Sequence, residues 1–252
     1  MKKLLVICFS SVLLAVGCQK GKPVMVERMA FDPAVIELFP GEDQEVNLQC
    51  YPSNATNLDD IVIRVVNPSV AQFENGKLVA KSSGSTMLKA TCGTVSTTAP
   101  VMVYAGWFSK GGTRYGVGKA SGHIFMESEP TPQSLDLTLT CQQGQDTQSF
   151  WLLIKYDLLG KTIDFMQDMQ ESMVSVQKNN NEDGYCVAYF SEELGRPVIV
   201  TAEWGDTDAV LTKGLLTVNQ TDTGYKVLAD FALSNGYTFA ADWEGPVTMV
   251  TE

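Results

Sequence analysis

Apolar residues recur at every second position along most of this chain. Glu45-Val46-Asn47-Leu48-Gln49-Cys50 puts Val46, Leu48 and Cys50 on one side of an extended segment, because side chains alternate across a strand. The run from Thr86 to Val95 does the same with Leu88, Ala90 and Cys92. Ser134 to Cys141 repeats it with Leu135, Leu137, Leu139 and Cys141. Ile61 to Val66 and Phe150 to Tyr156 are more continuous apolar runs, and both also read as strands. Tyr115–Met126, Tyr185–Phe190, Pro197–Trp204, Leu215–Val218, Tyr225–Leu233 and Tyr237–Trp243 continue the series. Pro40-Gly41, Asn67-Pro68, Asn75-Gly76, Thr223-Gly224 and Asn235-Gly236 punctuate it as turns, with Asn75-Gly76 the strongest hairpin signal. One segment, Ile163 to Val174, departs from the pattern. Its Met166, Met169 and Met173 share a helical face, so it reads either as a short helix or as two irregular strands.

Short strands at regular spacing with such turns predict an all-β protein. A β-sandwich is expected over residues 24–103. A second antiparallel β-sandwich or barrel-like domain is expected over 104–252, with at most one short helix. Val101 to Phe108 runs across the boundary.

The chain opens differently. Residues 1–18 read MKKLLVICFSSVLLAVGC, a basic start, an apolar run and a small-residue exit, which is the layout of a secretory signal. The stretch Leu14-Ala15-Val16-Gly17-Cys18 resembles the lipobox of a bacterial lipoprotein, with Ala15 where Leu is usual. The resemblance implies that residues 1–17 are removed, that Cys18 is lipidated, and that residues 18–23 tether the fold to a membrane. Gln19 in place of Asp favours the outer membrane by the sorting pattern of such proteins. Lys20 and Lys22, where acidic residues mark surface export, leave the surface and periplasmic faces both open.

Within the first domain, Ile36 to Gly41, Tyr51 to Ala55, Asn67 to Ala71, Asn75 to Ala80 and Gly84-Ser85-Thr86 follow in an order that resembles the group 2 bacterial immunoglobulin-like domain. That family implies a spacer or adhesion module with no shared catalytic set. The runs Gly214–Val218, Gly224–Val227, Leu233–Phe239 and Trp243–Val247 resemble the closing strands of an uncharacterised β-rich domain in lipoproteins of Bacteroides-like bacteria. Those lipoproteins often sit beside glycan-uptake or adhesion systems.

Charge narrows the partners. The chain has a formal net charge of −11 and no Lys/Arg stripe, so it repels phosphate backbones and nucleic-acid binding is not expected. Of its 6 cysteines, Cys8 leaves with the signal and Cys18 takes lipid. Export permits disulfides among Cys50, Cys92, Cys141 and Cys186, and the domain division favours Cys50–Cys92 and Cys141–Cys186. Four buried thiols are the alternative.

Candidate chemistry is sparse. The single histidine, His123, has no nucleophile placed for it, and Gly-x-Ser-x-Gly is absent. One histidine cannot build a His-rich zinc site, and the mixed Cys/His spacing is wrong. Asn179 to Gly184 begins like a calcium loop, but Phe190 stands where the late bidentate acid belongs. Gly111 to Ala120 lacks the residues of a phosphate loop. No metal and no cofactor is therefore expected. Glu203, Asp206, Asp208, Asp242 and Glu244 lie beside tryptophans, as sugar hydrolysis or binding requires. Asp242 and Glu244 share a strand face while Trp243 points away. The leading expectation is a membrane-anchored envelope adhesion or interaction protein without catalytic activity, whose partner is a glycan or an envelope or surface protein. The alternative is a carbohydrate-binding lipoprotein that uses Trp107, Trp151, Trp204 or Trp243. A glycoside hydrolase is the third class.

Overall fold

The computed structural model describes residues 22–128, 131–167, 172–178, 185–191, 196–201 and 209–250. The protein is all-β. Among the described residues, helix is confined to two single 3-10 turns, Leu58–Asp60 and Tyr156–Leu158. The Met-rich segment forms no described helix. Ile163 lies in a strand opposite Leu216, Met173 lies in another opposite Leu153, and residues 168–171 fall outside the described residues.

The first nine strands form one sandwich. They are β1 (Arg28–Asp32), β2 (Ile36–Leu38), β3 (Asp43–Glu45), β4 (Asn47–Tyr51), β5 (Val62–Val65), β6 (Ala71–Glu74), β7 (Lys77–Ala80), β8 (Gly84–Cys92) and β9 (Val95–Val103). A four-stranded sheet, β2-β9-β8-β5, shares one core with the β1-β4 pair and the β3-β7-β6 sheet. Leu88, Ala90 and Cys92 fill that core from β8, as their alternation requires. Asn75 and Gly76 both take positive φ, 51° and 80°, and close the β6–β7 hairpin. That geometry is the primed turn favoured by Asn-Gly.

The second sandwich pairs two larger sheets. Its strands are β10 (Gly106–Lys110), β11 (Thr113–Gly116), β12 (Lys119–Ser128), β13 (Thr131–Gln143), β14 (Asp146–Lys155), β15 (Thr162–Asp164), β16 (Met173–Lys178), β17 (Tyr185–Ser191), β18 (Arg196–Thr201), β19 (Leu211–Thr221), β20 (Gly224–Leu233), β21 (Thr238–Gly245) and β22 (Thr248–Met249). The six-stranded sheet runs β11-β10-β21-β20-β19-β15, and the seven-stranded sheet runs β18-β17-β16-β14-β13-β12-β22. Phe108, Phe231, Phe239 and Trp243 from the first meet Leu135, Leu137, Leu139, Phe150 and Leu152 from the second. Phe231 and Phe239 stack at 4.6 Å between centroids, and Phe108 reaches across to Phe150 at 6.3 Å. The Thr223-Gly224 and Asn235-Gly236 turns join the antiparallel neighbours β19–β20 and β20–β21.

Only Tyr104 and Ala105 separate β9 from β10, and the join is built from several contacts. The Tyr104 amide donates to the Leu38 carbonyl at 3.0 Å, extending the first sandwich by one residue. Its phenol donates to Glu37 Oε1 at 2.8 Å. Its ring lies so close to Gly116 that a Cβ there would collide with it. Arg114 donates to Glu42 Oε1 at 2.8 Å and places its guanidinium over Phe39 at 4.7 Å and over Trp107 at 5.5 Å. The ion pair is exposed and worth little alone, so the stacked rings supply much of its specificity.

Replacing Gly116 by Ala is expected to cost about 1–3 kcal/mol through overpacking against Tyr104, read by chemical denaturation. Burial, aided by the Glu37 carboxylate, pushes the Tyr104 phenol up. The folded state therefore favours the neutral phenol. That contribution is complete below the unfolded tyrosine pKa of about 10 and is lost as pH rises above it. A denaturation series from pH 9 upward is expected to show a shallower alkaline loss of stability in Tyr104→Phe than in the parent.

Candidate functional site

Alternation that buries one face of the six-stranded sheet must expose the other. On that outer face one cross-strand row runs nearly the full width of the sheet. Thr162 stands opposite Thr217, Thr217 opposite Leu228, Leu228 opposite Asp242, and Asp242 opposite Trp107. Leu228 and Asp242 are exposed, and Trp107 is half-buried. The row lines a groove of about 560 Å³, with Leu215, Asp230 and Thr238 beside it. Four strand spacings of about 4.8 Å make the row about 19 Å long.

The groove's electrostatics are simple. The Thr162 and Thr217 hydroxyls share a 2.8 Å hydrogen bond. Asp230 is paired with Lys213, Glu244 with Lys226 at 3.5 Å, and Glu42 with Arg114 at 2.8 Å. These pairs cancel around the rim. Among the described residues, the Asp242 carboxylate has no hydrogen-bond or ion-pair partner. Trp107 and Asp242 border both this groove and a second depression of about 380 Å³, lined also by Phe39, Glu42, Arg114, Lys226 and Glu244. Arg114 covers one face of the Trp107 ring.

The other tryptophans are not brought to this face. Trp243 is 3% exposed and sits in the core, so its ring offers no platform to a ligand. The alternation that turns Asp242 and Glu244 outward is what turns Trp243 in. Trp151 lies on β14 of the other sheet, where its indole donates to Asp136 Oδ2 at 2.9 Å. Trp204 lies outside the described residues. Among the described residues, the expected row of tryptophan rings is thus a single ring on this face, Trp107, beside a carboxylate and hydroxyls. Sequence reasoning singled out Trp107 and Asp242 separately but missed Arg114, Thr162, Thr217 and Leu228. Their outward phase was readable within each strand; the register that aligns them was not.

Asp242 and Glu244 sit side by side on one strand and project the same way, so they do not face each other across a cleft. Glu203, Asp206, Asp208 and the Asn179–Gly184 segment lie outside the described residues, as does Cys18. Gly111 and Gly112, with φ of 56° and 82°, form the β10–β11 hairpin turn. His123 packs edge-on to Phe125 at 4.4 Å. No cluster of three or more His, Cys, Asp or Glu suited to a metal occurs among the described residues.

The cysteines are corrected in part. Cys50, Cys92 and Cys141 carry free thiols in the structure. Cys92 Sγ accepts from Asn57 Nδ2 at 3.0 Å. Burial, and then the neighbouring Cys92, pushes the Cys50 thiol up, so the two lie near one another without a bond. The Cys141–Cys186 pairing fails on topology. Cys141 is on β13 and Cys186 on β17, with β14 and β16 between them. Three strand spacings place them about 14 Å apart, roughly twice the Cα separation a disulfide spans.

No family model matches the chain, and no curated protein does. Among solved structures, domains 5-6 of the S-layer protein SbsC align at a TM-score of 0.29 and 13% identity, over 90% of this chain and 99% of that one. Domains 4-9 of the surface layer protein SbsC align at 0.28 and 14%, over 90% of this chain and 32% of that one. Likeness of this degree carries no statement about role.

Trp243→Ala is expected to cost about 3–5 kcal/mol, as for a ring removed from a packed core. Trp107→Ala, which loses mainly the contact with Arg114, is expected to cost less than about 2 kcal/mol. Thermal and urea denaturation of the two variants checks the order.

Proposed function

We infer that this chain is a lipid-anchored cell-envelope interaction protein without catalytic activity. The observation that carries the reading is the groove on the outer face of the six-stranded sheet, where Trp107 and the unpaired Asp242 stand in one row. A sheet face of this kind suits contact: it offers apolar area, and among the described residues its one unpaired carboxylate, that of Asp242, points outward. The Leu14–Cys18 lipobox supports the anchor, and residues 18–23 supply a short tether. The first sandwich acts as the spacer that an immunoglobulin-like module would be, and the Arg114 and Tyr104 contacts join the second sandwich to it. In this reading the protein sits at the outer membrane, on either face.

Metabolic labelling with a palmitate analogue tests the anchor. The full chain expressed in a diderm bacterium is expected to take up label and to sediment with membranes. Cys18→Ala is expected to lose both. Persistent labelling of Cys18→Ala contradicts the assignment.

A further inference from the structure

We propose that the Trp107 groove binds a neutral glycan, an extended chain of pyranose rings lying along the Thr162–Thr217–Leu228–Asp242–Trp107 row. The proposal rests on the interaction role inferred above and names the ligand class for its face. Four features select that chemistry. The Trp107 indole offers a flat apolar surface in a groove whose apolar floor, Leu228 and Ala240 among it, is interrupted by the polar groups of Thr217, Asp230 and Asp242, and the C–H face of a sugar matches such a ring while its hydroxyls need partners around it. Asp242 stands directly opposite Trp107 and supplies an unshared acceptor for vicinal hydroxyls. At the other end, Thr162 and Thr217 add hydroxyls that both donate and accept. A pyranose ring is about as long as the spacing between strands, so successive rings fall on successive members of the row.

Charge separates this ligand from its rivals. The rim carboxylates of Asp230 and Glu244 are neutralised by Lys213 and Lys226, which leaves Asp242 as the one uncompensated charge in the row. A uronate or sulfated polymer would place its anions against that carboxylate on a chain of net charge −11. A basic peptide needs several free acids, and among the described residues the groove offers one. A neutral sugar needs only the acceptor.

Arg114 is a positioning residue for this site. It covers one face of the Trp107 ring and is itself held by Glu42 and Phe39 of the first sandwich. The ring is thereby fixed before ligand arrives, which lowers the entropic cost of binding.

The test uses the chain from Gln19 onward on a glycan array, followed by calorimetry. Neutral α- and β-glucan, mannan and xylan oligosaccharides are compared with a polyuronate and with oligolysine. At least one neutral glycan is expected to bind. Trp107→Ala and Asp242→Asn are each expected to weaken it about tenfold, and Trp151→Phe to leave it unchanged. Asp242 borders the Arg114 depression but has no hydrogen bond or ion pair with Arg114, so Asp242→Asn leaves the Arg114–Glu42 pair in place and its effect reads the groove. Binding of no neutral glycan, preference for the polyuronate or oligolysine, or binding unchanged in both groove variants would overturn the proposal. None of these results bears on the palmitate label, so the ligand class and the anchor fall separately.

Discussion

The outer face of the second sandwich depends on what its inner face buries. Trp243 and Phe108 are driven into the core by the apolar area they remove from water, and the period of two along a strand then fixes their neighbours. With Trp243 inside, Asp242 and Glu244 are outside. With Phe108 inside, Trp107 is outside. A slip of one residue in β21 would carry Asp242 into a core of phenylalanines and leucines, at a desolvation cost no local contact offsets. Core packing therefore sets the site chemistry, although no core side chain belongs to the site.

The junction adds the second constraint. Arg114 is held between a ring from each sandwich and a carboxylate from the first, and Tyr104 wedges over Gly116 while donating to Glu37. Each contact is modest and partly exposed. Together they tie the setting of Trp107 to the first sandwich, so that sandwich also shapes the proposed binding face. The junction also encloses a depression of about 350 Å³ lined by Val103, Tyr104, Val117 and Trp243. It belongs to the seam between the units.

Much of the fold was legible because it rests on local rules. The alternations through Leu88-Ala90-Cys92 and Leu135-Leu137-Leu139 name their buried faces without reference to any partner. Asn75-Gly76 names its turn through positive φ at both residues, and Asn235-Gly236 through positive φ at Gly236. The site was half legible. Exposure of Asp242 follows from its own strand, but its position opposite Trp107 depends on the pairing of β10 with β21, strands far apart in sequence. The Cys141–Cys186 pairing failed for the same reason. Sequence places both on strands of one domain, and only sheet order reveals the two strands between them. The methionine spacing of residues 163–174 left a short helix and two irregular strands both open, because helical spacing over a short run does not separate them; among the described residues, pairing with β19 and β14 places Ile163 and Met173 in strands.

The central claim is that ligand meets this protein on the Trp107 face of the six-stranded sheet. Nuclear magnetic resonance of the isotope-labelled chain, with indole and backbone amides assigned, tests it most directly during titration with a neutral oligosaccharide. The account predicts shifts at the Trp107 indole and at the Thr217, Leu228 and Asp242 amides, with the Trp151 and Trp243 indoles unmoved. Shifts centred on Trp151 and the seven-stranded sheet, or none on the Trp107 row, would contradict it.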